Sequence, residues 1–366
     1  AAALADLELH NFACRLGLLA DSRRSISASL LRQAASCLDE LSWETDEIAS
    51  RLAVLIISMV WEHSTDDVRR AMRQRIIVCL TRLGLSPTTS MIDDGYARGE
   101  GYEPFDSVRA QLATVVMQLE FSRIISGREF FLTKFQSEVL DAVDSNPLVG
   151  ISAPTAAGKS FALYLALARH FERQPDSSAV FIVPTVSLIT QVSLDLRHLL
   201  AELGLGQVVV RDNASAGTLK GSISVVTQER ALYALEASSW NELGMLIVDE
   251  VQNLERVAQE DGLRSKMLYD VITELSNEKQ IDHIVISGPR IENVGELGTL
   301  VFGANTCEVT TSDGPVASLT YSITKRGRKA FIRQHRELLA GAPIAELEID
   351  DSSIVQGQGQ STYTDG

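Results

Sequence analysis

The chain has 366 residues, of which 45% are hydrophobic and 22% charged, with 33 Lys+Arg against 48 Asp+Glu and a formal net charge of -15. This composition excludes collagen-like and disordered classes and has room for two or three domains that each bury a core. An acidic surplus of this size repels polyanions, so any nucleic-acid site must be local.

Chain order gives the following organisation. The start, A-A-A-L-A-D-L-E-L-H, has no cationic leader and no initiator Met, and reads as a trimmed beginning. The longest nearly unbroken apolar run, Leu52 to Trp61, is half the roughly 20 residues a bilayer crossing needs, so it predicts a buried helix face and no membrane partner. Up to about residue 143 the apolar spacing is helical, as in Ala53, Leu55, Ile56, Met59 and Val60 and again in Val68, Met72, Ile76, Ile77 and Leu80. Ser64 to Asp67 supply acceptors ahead of the second run. Residues 84–104 concentrate Gly, Pro, Ser and Asp and predict a loop or flexible connector. From residue 147 short apolar runs alternate with helical ones: Leu148–Ser152, Ala179–Val183, Gln207–Val210, Ser222–Val226, Met245–Val248 and His283–Ser287. Unbroken apolar strands separated by helices predict an α/β fold with a doubly wound parallel sheet. The tail from Asp350 is polar and Gly/Gln-rich and predicts a mobile end. Cys14, Cys37, Cys79 and Cys307 form no C-x-x-C and the six His never fall at ligand spacing, which predicts reduced thiols in an intracellular, cytoplasmic protein, or a nuclear one if the source is eukaryotic.

Chemistry concentrates at strand ends. A-P-T-A-A-G-K-S, Ala153 to Ser160, stands between the strand L-V-G-I-S and a helical run. Small residues there let backbone N–H groups of Thr155, Ala156, Ala157 and Gly158 point at phosphate oxygens, Lys159 can reach the β/γ-phosphates, and the Ser160 hydroxyl can hold Mg²⁺. The strand M-L-I-V runs into Asp249-Glu250-Val251-Gln252, where Asp249 suits a metal and Glu250 an attacking water. Taken alone, Asp-Glu after a strand is also an ordinary solvated loop. A third strand ends in Ser287-Gly288-Pro289, and carboxyl ends of strands converge on one ligand crevice.

From about residue 130 to 322 these motifs resemble superfamily 2 helicases and translocases of the DExH type. A-P-T-A-A-G-K-S resembles motif I, V-P-T-V-S-L-I-T-Q (Val183 to Gln191) motif Ia, V-V-T-Q-E-R (Val225 to Arg230) motif Ib, D-E-V-Q motif II and I-S-G-P motif III. The resemblance implies a RecA-like P-loop NTPase preceded by an all-α accessory domain. Its expected domains are a helical accessory or interaction domain at 1–128, a first RecA-like ATPase domain at 129–322, and an interdomain linker with flexible tail at 323–366. It also implies ATP and Mg²⁺ as ligands, with Lys159, Asp249 and Glu250 catalytic, Ser160 and Asp249 on the metal, and Gln252 and Ser287 coupling the ATP site to the strand. Gln136 is then a reader of the adenine edge, as its amide both donates and accepts; otherwise it is an exposed helix residue. Thr185, Thr227 and Arg230 become contacts to a DNA or RNA backbone, although a Thr at a strand-to-helix junction is equally an N-cap.

The sequence departs from the family where Gln228 replaces a Pro after the motif Ib Thr, where Ala153 stands for the first phosphate-loop Gly, and where Ser-Gly-Pro replaces Ser-Ala-Thr. No match to motifs IV to VI follows residue 322, so a second RecA-like domain is expected on a longer parent chain or another subunit, and the chain alone should hydrolyse ATP weakly. The alternative is a nucleotide-gated protein-interaction module or degenerate helicase-like scaffold, for example one partnering an effector nuclease in a bacterial defence complex. One basic cluster, Lys325, Arg326, Arg328, Lys329, Arg333 and Arg336 around Phe331, reads either as a stacking platform for nucleic acid or as a solvated amphipathic helix with Phe331, Ile332, Leu338 and Leu339 inward.

Overall fold

Helical spacing in the N-terminal third is realised as α1 (Ala2–Arg15), α2 (Ala28–Leu41), α3 (Glu47–Glu62) and α4 (Asp66–Arg82). Ser27 caps α2 by accepting from Leu30 N at 3.3 Å, and Asp46 caps α3 by accepting from Ala49 N at 3.3 Å. The apolar run of α3 is buried, and among the described residues no helix is long and apolar enough to cross a membrane. The computed structural model describes residues 2–19, 21–212, 220–236, 243–252, 263–278, 281–289, 291–312, 314, 317, 319–327, 329–335 and 342–350. These divide into one unit of Ala1–Leu83, Thr88–Thr114 and Pro315–Gly366 and another of Gly84–Pro87 and Val115–Gly314.

In the first unit two sequence expectations are corrected. Residues 84–104 are not a flexible connector: a 3-10 turn at Ser86–Met91 and α5 (Asp94–Ala97) occupy much of the segment. One buried acid organises it. Asp93 accepts from Tyr96 N at 2.8 Å and from Glu103 N at 3.2 Å, and pairs with Arg73. A carboxylate accepts several donors at once, so loop-like composition here encodes an ordered turn. Nor is the segment after 322 a linker. It forms an antiparallel sheet with β10 (Thr320–Arg326), β11 (Lys329–His335) and β12 (Ala345–Asp350), in the order β10-β11-β12. Its Ile332 and Ile349 bury against Leu9 and Ala13 of α1, and Phe12 stacks on Tyr321 with ring centroids 3.8 Å apart.

The basic cluster therefore lies on a β-hairpin rather than an amphipathic helix. Gly327 turns it at φ +64°, and Ala330, Ile332 and Gln334 are buried at period two, the period of a strand. Lys329 and Arg333 are ion-paired with Glu348 and Glu346 across β12, which offsets two of the six cationic side chains of the cluster. Arg328, Arg336, Leu338, Leu339 and the tail from 351 lie outside the described residues.

The second unit carries a hairpin of β1 (Ser122–Ile125) and β2 (Arg128–Phe131), where the sequence reading had only helix. Ser126 and Gly127 join them at φ +50° and +76°. Positive φ at both central positions is what a tight two-residue turn with the strand's own twist requires. After α6 (Val108–Glu120), this hairpin and α7 (Lys134–Ser145), the strands β3 (Leu148–Ser152), β4 (Ser178–Val183), β5 (Val209–Arg211), β6 (Ser222–Thr227), β7 (Leu243–Asp249), β8 (Ile281–Gly288) and β9 (Cys307–Thr310) form one sheet. Its order is β5-β6-β4-β7-β8-β3-β9, and every pairing is parallel. Side chains alternate across it. Ala179, Phe181 and Val183 join Leu163 of α8 (Lys159–Arg173) and Leu196 of α9 (Val186–Glu202) in one core, while Val180 and Ile182 join Leu268, Val271 and Leu275 of the helix Leu263–Glu278 in the other. Both faces of β4 are thus apolar, which is the physical content of a doubly wound parallel sheet. The strand order places the carboxyl ends of β3, β8 and β7 side by side.

Candidate functional site

At the end of β3 the chain passes Ala153 and Pro154 into a 3-10 turn, Thr155–Ala157, and reaches Gly158 at φ +79°, ψ 28°. Only glycine takes that left-handed conformation without strain, and a Cβ there would also lie 2.4 Å from Gln136 Nε2. Helix α8 begins on the next residue with no side chain capping it. Its first N–H groups and positive dipole end are thereby left for an anion. Lys159 is buried, and its ammonium donates to Ala153 O at 2.6 Å and Pro154 O at 3.1 Å. Burial pushes this lysine below its ordinary range, while the carboxylates of Asp249 and Glu250 act in the opposite direction.

Asp249 ends β7 opposite Ser287 of β8. Ser287 Oγ donates to Asp249 Oδ1 at 2.9 Å, and Glu250 N donates to the same oxygen at 3.0 Å. Burial raises the Asp249 carboxyl above its usual range, with the Ser287 bond working against that rise. Ser160, on the first exposed turn of α8, and Asp249 line one cavity of about 440 Å³, together with Tyr164, Gln191 and Asp195. Hard oxygen donors at its head suit a magnesium ion that keeps part of its water shell.

Glu250 has φ +62°, the left-handed region, which a residue with a Cβ enters only when its surroundings hold it there. Two such holds are visible. Gln252 Nε2 donates to Glu250 Oε2, and Val251 N donates to Ser287 O at 2.9 Å. Gly288 explains the departure from Ser-Ala-Thr: a Cβ on it would sit 2.6 Å from Ile291 Cδ1 and 2.8 Å from Gln252 Oε1. The small residue leaves room for the glutamine that grips Glu250. The end of β8 is also tied to the phosphate loop, since Ala153 N donates to Gly288 O at 3.3 Å, and Ser152 Oγ exchanges two 2.8 Å bonds with the Ile291 peptide.

The remaining expected residues fall in two places. Gln136 is neither exposed nor a free amide. It is buried in a capping box, accepting from Thr133 N at 3.0 Å through Oε1 while its own N–H donates to Thr133 Oγ1 at 3.2 Å, and its Nε2 lies 3.4 Å from Gly158 O. Thr185 follows the end of β4, the strand paired with β7, and Thr227 ends β6 on the other side of β4. Thr185 is an N-cap, accepting from Leu188 N at 3.4 Å, Thr227 is buried, and exposed Arg230 donates to Asp212 O at 2.9 Å. The sequence reading gave no individual role to Ser152, Gly288, Tyr164 or Asp195. The i,i+4 spacing of Ser160 with Tyr164 and of Gln191 with Asp195 is the signal that places the last two on cavity-facing stripes.

Part of the chain is similar to known proteins. The family model for DEAD/DEAH box helicase matches residues 133–288. The U5 small nuclear ribonucleoprotein 200 kDa helicase of Caenorhabditis elegans is 32% identical over 99 residues, covering 26% of this chain and 5% of the relative. ATP-dependent DNA helicase Hel308 of Thermoplasma acidophilum is 27% identical over 139 residues, covering 37% of this chain and 20% of the relative. The chain thus spans about a fifth or less of the length of these two relatives. Among solved structures, the yeast DEAD-box splicing factor Prp28 is 16% identical with a TM-score of 0.41, covering 51% of this chain and 47% of that one. The phosphate loop of β3, the paired acids at the end of β7 and the serine of β8 between them all fall within one stretch: residues 133–288 form a domain that matches the DEAD/DEAH box helicase family model.

Proposed function

We propose that this domain is the first of two motor lobes in a nucleic-acid-dependent ATPase. The observation that carries the reading is the meeting of the Lys159 loop with Asp249, Glu250 and Ser287 at the carboxyl ends of β3, β7 and β8. Lys159 leaves its two carbonyl partners to meet the β/γ-phosphates, and the N–H groups of the turn before α8 hold the same phosphates. Ser160 and Asp249 would hold Mg²⁺, which would supply charge neutralisation for the phosphates. Glu250, kept in its strained conformation, orients and deprotonates the attacking water. Gln252 and Ser287, which touch Glu250 and Asp249, transmit the state of the acids to the neighbouring strand ends. Exposed Thr185 and Arg230 are the local hydroxyl and positive contacts for a DNA or RNA backbone, whereas Thr227, buried in the fold, does not reach one.

Residues 1–366 on their own turn over ATP slowly, because an arginine from a second lobe is worth about 10³ to 10⁵ in comparable phosphoryl transfers. The test is ATP turnover with and without single- and double-stranded DNA and RNA at fixed low salt, in the wild type, Lys159→Ala and Glu250→Gln. Stimulation by nucleic acid that both substitutions abolish is the expected result. Turnover unaffected by either substitution overturns the assignment.

A further inference from the structure

A second cavity lies in the other unit, about 190 Å³ in volume, beside the N-terminus of α4. That is room for one phosphate group and too little for a nucleobase and sugar besides. Three guanidinium groups, Arg15, Arg23 and Arg24, line it with a single carboxylate, Glu62. In a chain of net charge -15 this is a local reversal of sign. Arg15 is partly engaged, bonding Glu8 at 2.6 Å and Glu62 at 3.0 Å, and Arg24 stands 3.7 Å from exposed Asp21. Arg23 forms no ion pair among the described residues.

The segment bearing these arginines is held in place by buried polar groups. Asn11 Oδ1 accepts from Arg24 N at 2.7 Å and Asn11 Nδ2 donates to Arg24 O at 2.8 Å, which fixes the orientation of the amide. The second Nδ2 hydrogen then donates to His63 Nδ1 at 2.9 Å, so the ring proton sits on His63 Nε2 and faces Glu8. Ile26 N closes the same strap by donating to His63 O at 3.1 Å. Buried polar networks of this kind are costly unless fully satisfied, and this one holds the Arg23–Arg24 peptide against the cavity wall.

Opposite the arginines, α4 opens at Thr65, whose side chain makes no cap bond. Asp66 and Asp67 in that first turn are drawn off by Arg69 and Arg70. Ser64 lines the cavity, is 9% exposed, and its Oγ is buried with no hydrogen-bond partner. An unpaired buried hydroxyl is uncommon in a folded protein and points to a ligand atom that completes it. We propose that this cavity binds a single phosphate group presented by free phosphate or a small phosphorylated ligand, held by Arg23 and Arg24, the Ser64 hydroxyl and the opening turn of α4.

The test uses the full chain carrying Lys159→Ala, so that the phosphate loop does not compete, titrated with inorganic phosphate by calorimetry. Saturable one-to-one binding is expected, weakened about tenfold by Arg23→Ala and again by adding Arg24→Ala, and about threefold by Ser64→Ala, as loss of charged and neutral hydrogen bonds requires. Arg23 and Arg24 are exposed, so these two variants keep the fold, and unchanged melting checks that they do. Absence of saturable binding, or binding equal in the Arg23→Ala/Arg24→Ala variant, overturns the proposal. So does displacement of bound phosphate by a single-stranded oligonucleotide lacking terminal phosphates, which would assign the site to a nucleic-acid backbone.

Discussion

Ser287 Oγ donates to Asp249 Oδ1 at 2.9 Å across the β7–β8 pair. Among the described residues one other donor, the Glu250 N–H, is seen on that oxygen. Ser287→Ala removes a bond that favours the ionised acid and raises the Asp249 carboxyl further, leaving it a poorer magnesium ligand. The expected outcome is about tenfold weaker Mg²⁺ dependence of ATP turnover with about 1 kcal/mol lost from stability. Magnesium titrations of turnover beside urea melts measure both, and unchanged magnesium dependence contradicts the role given to Ser287.

Gly288→Ala drives a methyl group toward Ile291 and Gln252. Gln252 then loses its grip on Glu250, whose left-handed backbone relaxes. Hydrolysis should fall by about tenfold or more while ATP affinity falls less, since the added methyl group meets Gln252 directly and reaches the phosphate loop only through Ile291 and Ser152. Comparing nucleotide binding with single-turnover hydrolysis separates the two, and an equal loss in both sinks the account.

Gln136→Ala breaks a capping box and removes the amide nearest Gly158 O. A loss of about 1 kcal/mol in stability is expected from the cap alone. Gln136→Glu keeps the acceptor to Thr133 N yet loses the donor toward Gly158 O, so it should restore stability without restoring ATP affinity. Parallel recovery of both in Gln136→Glu would show that the cap accounts for everything.

His170 is buried against Ser177, its Nε2 lying 2.8 Å from Ser177 Oγ, and burial, aided by His283, pushes its pKa down to about 4 from 6.5. A histidine depressed in the fold takes up a proton on unfolding. Its contribution is therefore fully present above pH 6.5 and is lost as pH falls toward 4, amounting to ~3 kcal/mol over that window. His170→Gln should flatten the acid limb of the stability profile below pH 6.5, read from urea melts at pH 7 and 4.5. An equally steep limb in the variant places the acid sensitivity elsewhere.

The strands around the site were legible because their signals are local. Leu148–Ser152 has the bounds read from the sequence, and Met245–Val248 and His283–Ser287 lie within β7 and β8, since a strand buried on both faces needs an unbroken apolar run whatever its neighbours are. Gly158, Lys159 and Ser160 were legible for the same reason, as a turn and a helix start lie within a few residues of one another. What the tertiary structure decided depends on partners distant in the chain. Asp93 orders a segment of loop-like composition because Arg73, twenty residues earlier, meets it. The basic stretch after Thr324 is a strand because Glu346 and Glu348 and the apolar face of α1 lie beside it. Gly288 reads as a broken motif until Gln252 and Ile291 are placed around it. Residue type and spacing thus determined which groups gather at the strand ends, and packing between sequence-distant groups decided which atoms hold them in place, because burial and hydrogen bonding are set by whatever the fold brings near.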